Sequence, residues 1–227
     1  MHSPQASRDL DVEDDTTGAA AASESGSVPE AAAPARKRPK PGERRVQILQ
    51  TLAAMLEEPG ADRITTAALA AKLQVSEAAL YRHFASKAQM FEGLIEFIEQ
   101  SIFTLINQIT ERDADPALQA RRIVFMLLQF GEKNPGMARV MVGDALVFEN
   151  ERLSARMNQF FDKVESQLRQ SLRAAAEHAG SQTPTVDANG RASALTALAV
   201  GRLQRFTRSG FKRSPTEQIE MALGLLT

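Results

Sequence analysis

The chain has 227 residues, 43% hydrophobic and 24% charged, the balance of a soluble globular protein of one or two domains. Cysteine is absent, which excludes disulfides, thiol chemistry and thiolate metal sites, and His2, His83 and His178 show no zinc-helix spacing. No apolar run approaches the ~20 residues that a membrane-spanning helix requires.

The net charge of −1 hides a division along the chain. Residues 1–35 hold seven acids and one base, residues 36–87 ten bases and five acids, and residues 88–227 sixteen of each. A positive field confined to one segment points to a polyanion bound there. Residues 1–42 carry five of the ten prolines and few large apolar residues, so an acidic, Ala/Pro-rich disordered tail is expected, closing on the basic cluster Arg36–Lys40. That cluster serves either as a solubilising linker or as an arm that adds phosphate contacts.

From Glu43 the period is helical, with Val46, Leu49, Leu52, Ala53 and Leu56 as one stripe and Glu57-Glu58-Pro59-Gly60 as its end. Short helices follow at roughly 66–72 and 77–83. A long one begins near Lys87, with Phe91, Leu94, Ile98, Ile102, Leu105 and Ile109 inward. The next runs from Pro116 to Glu132 and stops at Asn134-Pro135-Gly136, before a short helix at 137–142. Leu153, Met157, Phe161, Val164, Leu168 and Leu172 mark another long helix, Gly180–Gly190 reads as a polar loop, and 191–208 is helical again. Ser214-Pro215-Thr216-Glu217 reads as the capping box of a last helix. No stretch alternates with period two, so the expected class is all-α.

Within 64–87, Thr65 or Thr66 can cap a short helix with Leu69 inward and Ala70 at a close crossing. Leu73-Gln74-Val75 makes the turn and Ser76 caps the second helix. There Leu80 and Phe84 face inward while Glu77, Ala78, Tyr81 and Arg82 face out. This is a helix-turn-helix whose second member can enter a major groove. The hydroxyls of Thr65, Thr66, Ser76 and Tyr81, with Lys87 and the helix N-termini, suit phosphate oxygens. Tyr81 has no neighbouring base for acid–base work, and no nucleophile–base or metal constellation occurs elsewhere, so neither an enzyme nor a cofactor is expected.

The string Val-Ser-Glu-Ala-Ala-Leu-Tyr-Arg-His-Phe-Ala-Ser-Lys (75–87), preceded by Ile-Thr-Thr-Ala-Ala-Leu-Ala, resembles the TetR family of DNA-binding regulators. That resemblance implies a three-helix DNA-binding head over 43–87 and a helical dimerisation and partner-binding domain over 88–227. It also implies phosphate contacts from Thr65, Thr66, Ser76, Tyr81, His83 and Lys87, with Glu77, Ala78 and Ala79 nearest the bases and Arg82 on the same helix.

Further strings, among them Phe-Gly-Glu-Lys-Asn-Pro-Gly (130–136), Ala-Leu-Val-Phe-Glu (145–149) and Arg-Phe-Thr-Arg-Ser-Gly-Phe-Lys-Arg-Ser-Pro-Thr (205–216), resemble the nucleoid occlusion factors, a TetR-type family. Their likeness implies a cytoplasmic, nucleoid-associated protein that binds DNA and then FtsZ, inhibiting division-ring assembly. By the same resemblance, the FtsZ tail would lie between the helix that begins near Lys87 and the one ending at Asn134. The candidate patch is Phe97, Met126, Gln129, Lys133 and Asn134. Gln129 stands where that family has a small Gly, and Leu105 where it has a basic residue. Phe97 falls on the flank of its stripe, where it either packs into the core or meets a partner.

The wide apolar faces of 153–178 and 191–208, with Ala192, Ala194, Ala197, Ala199 and Gly201, read as a two-fold dimer seam. Two heads on one dimer call for a palindromic duplex, with one or more dimers per site. The alternative function is a ligand-responsive repressor with a cavity in the C-terminal bundle.

Overall fold

A computed structural model describes residues 42–58 and 63–227, and the expected tail with its basic cluster lies outside them except for Gly42. The described residues form α1 (Glu43–Leu56), α2 (Thr66–Leu73), α3 (Glu77–Tyr81), α4 (Lys87–Arg112), α5 (Pro116–Lys133), α6 (Pro135–Met141), α7 (Glu151–His178), α8 (Pro184–Arg208) and α9 (Ile219–Leu226). A single 3₁₀ turn, Asp144–Leu146, follows α6, and no strand occurs among the described residues.

Helix starts follow local chemistry. Thr65 accepts the Ala68 amide at 3.1 Å, Ser76 the Ala79 amide at 3.3 Å and Ser86 the Gln89 amide at 3.2 Å. Each satisfies a donor that the first turn leaves without an intrahelical partner. Asp115 caps α5 ahead of Pro116, and Asn150 caps α7. One contiguous core runs from Ile48 and Leu52 of α1 through Phe84, Phe91 and Ile98 to Phe160 and Leu172 of α7 and Leu195 and Leu203 of α8.

Three stripes shift from the expected pattern. Val46 is exposed, and Ile48 and Met55 take the inward side of α1; at about 100° per residue Val46 lies nearly opposite Ile48. In α4 the inward residue is Ile106, while Leu105 turns to the surface. In α7 the buried ring is Phe160, set edge-on against Phe103 of α4 at 5.8 Å between centroids, and Phe161 lies half-buried beside it.

Two boundaries also differ. The loop expected over Gly180–Gly190 is largely helix, because α8 starts at Pro184. Asp187 accepts the Ser181 hydroxyl at 2.5 Å and the Thr183 hydroxyl at 3.1 Å, tying the loop to the first turn. The Ser181 bond is the main cause that holds the Asp187 carboxyl below its usual range, with Thr183 and nearby Arg191 acting in the same direction. That contribution to stability is present above the unfolded carboxylate pKa and is lost as pH falls through the lowered folded value.

The last helix starts at Ile219, after Gln218 in the left-handed region, and Ser214 caps nothing. The Ser214 and Thr216 hydroxyls instead both donate to Glu132 of α5, and the Arg202 guanidinium donates to the Pro215 and Glu217 carbonyls. Tertiary partners thus take the groups that the expected cap would have used.

Of the small residues assigned to a dimer seam, Ala192 and Ala199 are buried within this chain. Ala197 is exposed, and a Cβ built on Gly201 meets nothing within 4 Å, so these two remain on an outer face.

Candidate nucleic-acid and partner interfaces

The helix-turn-helix is held from inside by Leu69, Ala70, Leu73, Leu80 and Phe84, each at most 8% exposed. Gln74 closes the turn in the left-handed region (φ 56), and the Val75 amide bonds the Ala70 carbonyl at 3.0 Å. With its apolar side consumed, α3 presents Glu77, Ala78, Tyr81 and Arg82 outward, and Tyr81 is 44% exposed. Ala79 and His83 are half-buried. Exposed Thr65 and Ser76 mark the N-termini of two successive helices, where amides and dipole favour an anion.

Besides the capping bonds of Thr65 and Ser76, two of the expected contact residues are engaged by carboxylates of the same chain. The Thr66 hydroxyl donates to the Glu77 carboxylate at 2.5 Å, bracing α2 against α3. Lys87, the first residue of α4, is ion-paired to Glu149 on the segment before α7. Its ammonium also lies 5.7 Å from the centroid of the Phe91 ring.

Sequence reasoning missed two residues here. The Arg45 guanidinium stacks over the Phe84 ring at 4.1 Å and donates to the His83 carbonyl, so α1 fixes the exit of α3. Glu149 is the second; it lies 62 residues from Lys87, beyond any local signal.

The head meets the rest of the molecule at α4 and, more closely, at α6. Gly136 lies so close to α1 that a Cβ there would stand 2.1 Å from the Ala53 carbonyl oxygen, and the Arg139 guanidinium donates to the Leu56 carbonyl at 3.3 Å. Ion pairs tie α4 to α7: Arg152 to Glu92 at 2.7 Å and Arg156 to Glu99 at 2.6 Å.

Along α4 and α5 a second surface is open. Phe97 is 47% and Leu105 37% exposed, and at about 100° per residue they lie about 80° apart around α4, on the same side of the helix. Met126, Gln129 and Lys133 share a face of α5, with Lys133 exposed and the other two half-buried. Leu105 and Met126 line one open cavity of about 540 Å³ with Gln108, Ile109, Glu111 and Arg112. The Asn134 side chain donates to the Phe130 carbonyl at 2.8 Å and caps the end of α5. Leu105, expected in the core, is thus an addition to this surface. Among the described residues no group of three or more His, Asp or Glu could hold a metal ion, and no helix is long and apolar enough to cross a membrane.

Residues 48–94 match the model of bacterial regulatory proteins of the tetR family, and residues 115–227 that of the tetracyclin repressor-like C-terminal domain of SlmA-like proteins. The nucleoid occlusion factor SlmA of Vibrio vulnificus is 51% identical over 189 residues, covering 83% of this chain and 96% of that protein. SlmA of Photobacterium profundum is 51% identical over 185 residues, covering 81% and 94%. A solved structure of the regulator FadR from Bacillus subtilis, in complex with stearoyl-CoA, superposes with a TM-score of 0.64 over 80% of this chain and 96% of that one. At 15% identity that likeness shows the fold alone. Half-identity sustained across both the head and the C-terminal bundle is a different matter: this chain belongs to the TetR family of bacterial regulators and, within it, to the nucleoid occlusion factors of the SlmA type.

Proposed function

We propose that the protein performs nucleoid occlusion by joining two bound partners: duplex DNA on the α2–α3 face and the C-terminal tail of FtsZ on the α4–α5 face. The observation that supports this reading is that the likeness to nucleoid occlusion factors runs over 189 residues, 83% of the chain, a length that takes in both faces. On the DNA side, Thr65, Thr66, Ser76, Tyr81, His83 and Lys87 supply phosphate contacts. Glu77, Ala78 and Ala79 approach the base edges and Arg82 flanks them. A two-fold dimer through the outer faces of α7 and α8 presents two heads to a palindromic site.

On the partner side, Phe97, Leu105 and Met126 form an apolar centre, with Gln129, Asn134 and the Lys133 ammonium at the rim. Such a surface suits an acidic peptide that also carries apolar side chains. Antagonism of FtsZ arises from binding, biased by assembly on DNA. A ligand-responsive repressor is the weaker reading, because the likeness to the acyl-CoA-bound regulator does not extend beyond fold.

The test is a titration of a labelled FtsZ-tail peptide into the full chain, with and without palindromic duplex. Affinity should rise when DNA is present. Lys133→Ala should weaken the peptide about five- to tenfold and leave duplex affinity unchanged. Equal peptide affinity in the variant would remove Lys133 from the surface, and no binding of the peptide in either condition would remove FtsZ.

A further inference from the structure

The ion pair between Lys87 and Glu149 stands where DNA would need the lysine. Lys87 opens α4, one residue after its Ser86 cap and six after Tyr81, and belongs to the set assigned above to phosphate. Its side chain is only 23% exposed and that of Glu149 10%, so solvent screens the pair less than it would a surface pair. Glu149 comes from the far side of the domain junction, on the segment between the 3₁₀ turn and α7. Its neighbours Val147 and Phe148 are 69% and 67% exposed, so the segment is anchored by buried Leu146 before Glu149 and Leu153 after it, and not by the side chains next to it. The Phe91 ring beneath the ammonium gives Lys87 a second support that does not depend on the carboxylate.

We propose that Glu149 is an internal competitor of the DNA phosphate for Lys87, so that the head binds DNA only after exchanging this contact between head and bundle for one with the duplex. The proposal rests on the DNA-binding reading above. Its chemistry is a like-for-like exchange: one carboxylate oxygen leaves the ammonium as one phosphate oxygen arrives. In the free protein the carboxylate therefore lowers DNA affinity, and in the complex the segment 147–150 loses its tie to α4. The Arg152–Glu92 and Arg156–Glu99 pairs farther along the same two helices involve no head residue and persist.

A double-mutant cycle on the full chain tests this, read by anisotropy of a labelled mixed-sequence duplex at low salt, where phosphate contacts dominate. Glu149→Gln should tighten binding about fivefold, and Glu149→Asp, which keeps the charge but shortens the reach, should give a smaller gain. With Lys87→Gln already in place, Glu149→Gln should change affinity less than about twofold, because the contact it frees no longer exists. Unchanged or weaker binding by both Glu149 variants would overturn the proposal. So would an equal gain in the Lys87→Gln background, since that is the general effect of removing a negative charge near DNA. Failure of the unmodified protein to bind any duplex is a distinct result, and it would overturn the DNA-binding reading itself.

Discussion

Gly136→Ala should lower the unfolding free energy by about 3 kcal/mol, at the upper end of what overpacking a tight contact costs. The reason is geometric. The added methyl would stand 2.1 Å from the Ala53 oxygen and 3.0 Å from its carbonyl carbon, and both are backbone atoms that no rotamer change can move. Relief requires α1 and α6 to separate, which also breaks the bond from Arg139 to the Leu56 carbonyl. Because this junction mounts the head on the bundle, DNA affinity should fall along with stability. Urea denaturation checks the first effect and duplex anisotropy the second. Gly190→Ala is the internal control: a Cβ there meets nothing within 4 Å, and removing a glycine from α8 should raise stability by about 0.5–1 kcal/mol. A Gly136→Ala protein with an unchanged urea midpoint would mean that α1 and α6 are not in this contact.

Phe97→Ala should weaken the FtsZ-tail peptide about thirtyfold, the loss expected of an aromatic anchor at the centre of an interface, about 2 kcal/mol. With 47% of its surface exposed, the ring contributes little to the core, so the thermal midpoint should move far less than for truncation of buried Phe91 or Phe160. The separation of the two effects is the point of the experiment. Peptide affinity that survives the substitution would place Phe97 outside the contact, and a large loss of stability would return it to the core.

Much of the candidate DNA surface was legible because its chemistry is local. Thr65 and Ser76 cap through bonds that span three residues, and the inward placement of Leu69, Leu80 and Phe84 follows from helical spacing alone. The partner surface was legible only in outline. Phe97 could be placed on a flank, yet Leu105 continued an apolar stripe so well that its turn to the surface beside Met126 emerged only once α5 was set against α4. At the last helix the local pattern was misleading: a plausible capping box lost to Glu132, more than eighty residues away, because two hydroxyls could be satisfied at once by a carboxylate already in position.

Residue order by itself determined the all-α class, most helix spans, the two capped helices of the head and the family to which the chain belongs. These depend on hydrogen bonds and apolar periodicity within a few residues of one another, or on strings of matching residues. Only the tertiary structure decided which cations are already paired, which apolar residues remain outside, and how closely α6 approaches α1. The Lys87–Glu149 pair, the hold of Arg45 on the end of α3 and the contact at Gly136 join residues 62, 38 and 83 positions apart. Contacts at such separations arise from the packing of whole helices, and no local rule of spacing encodes them.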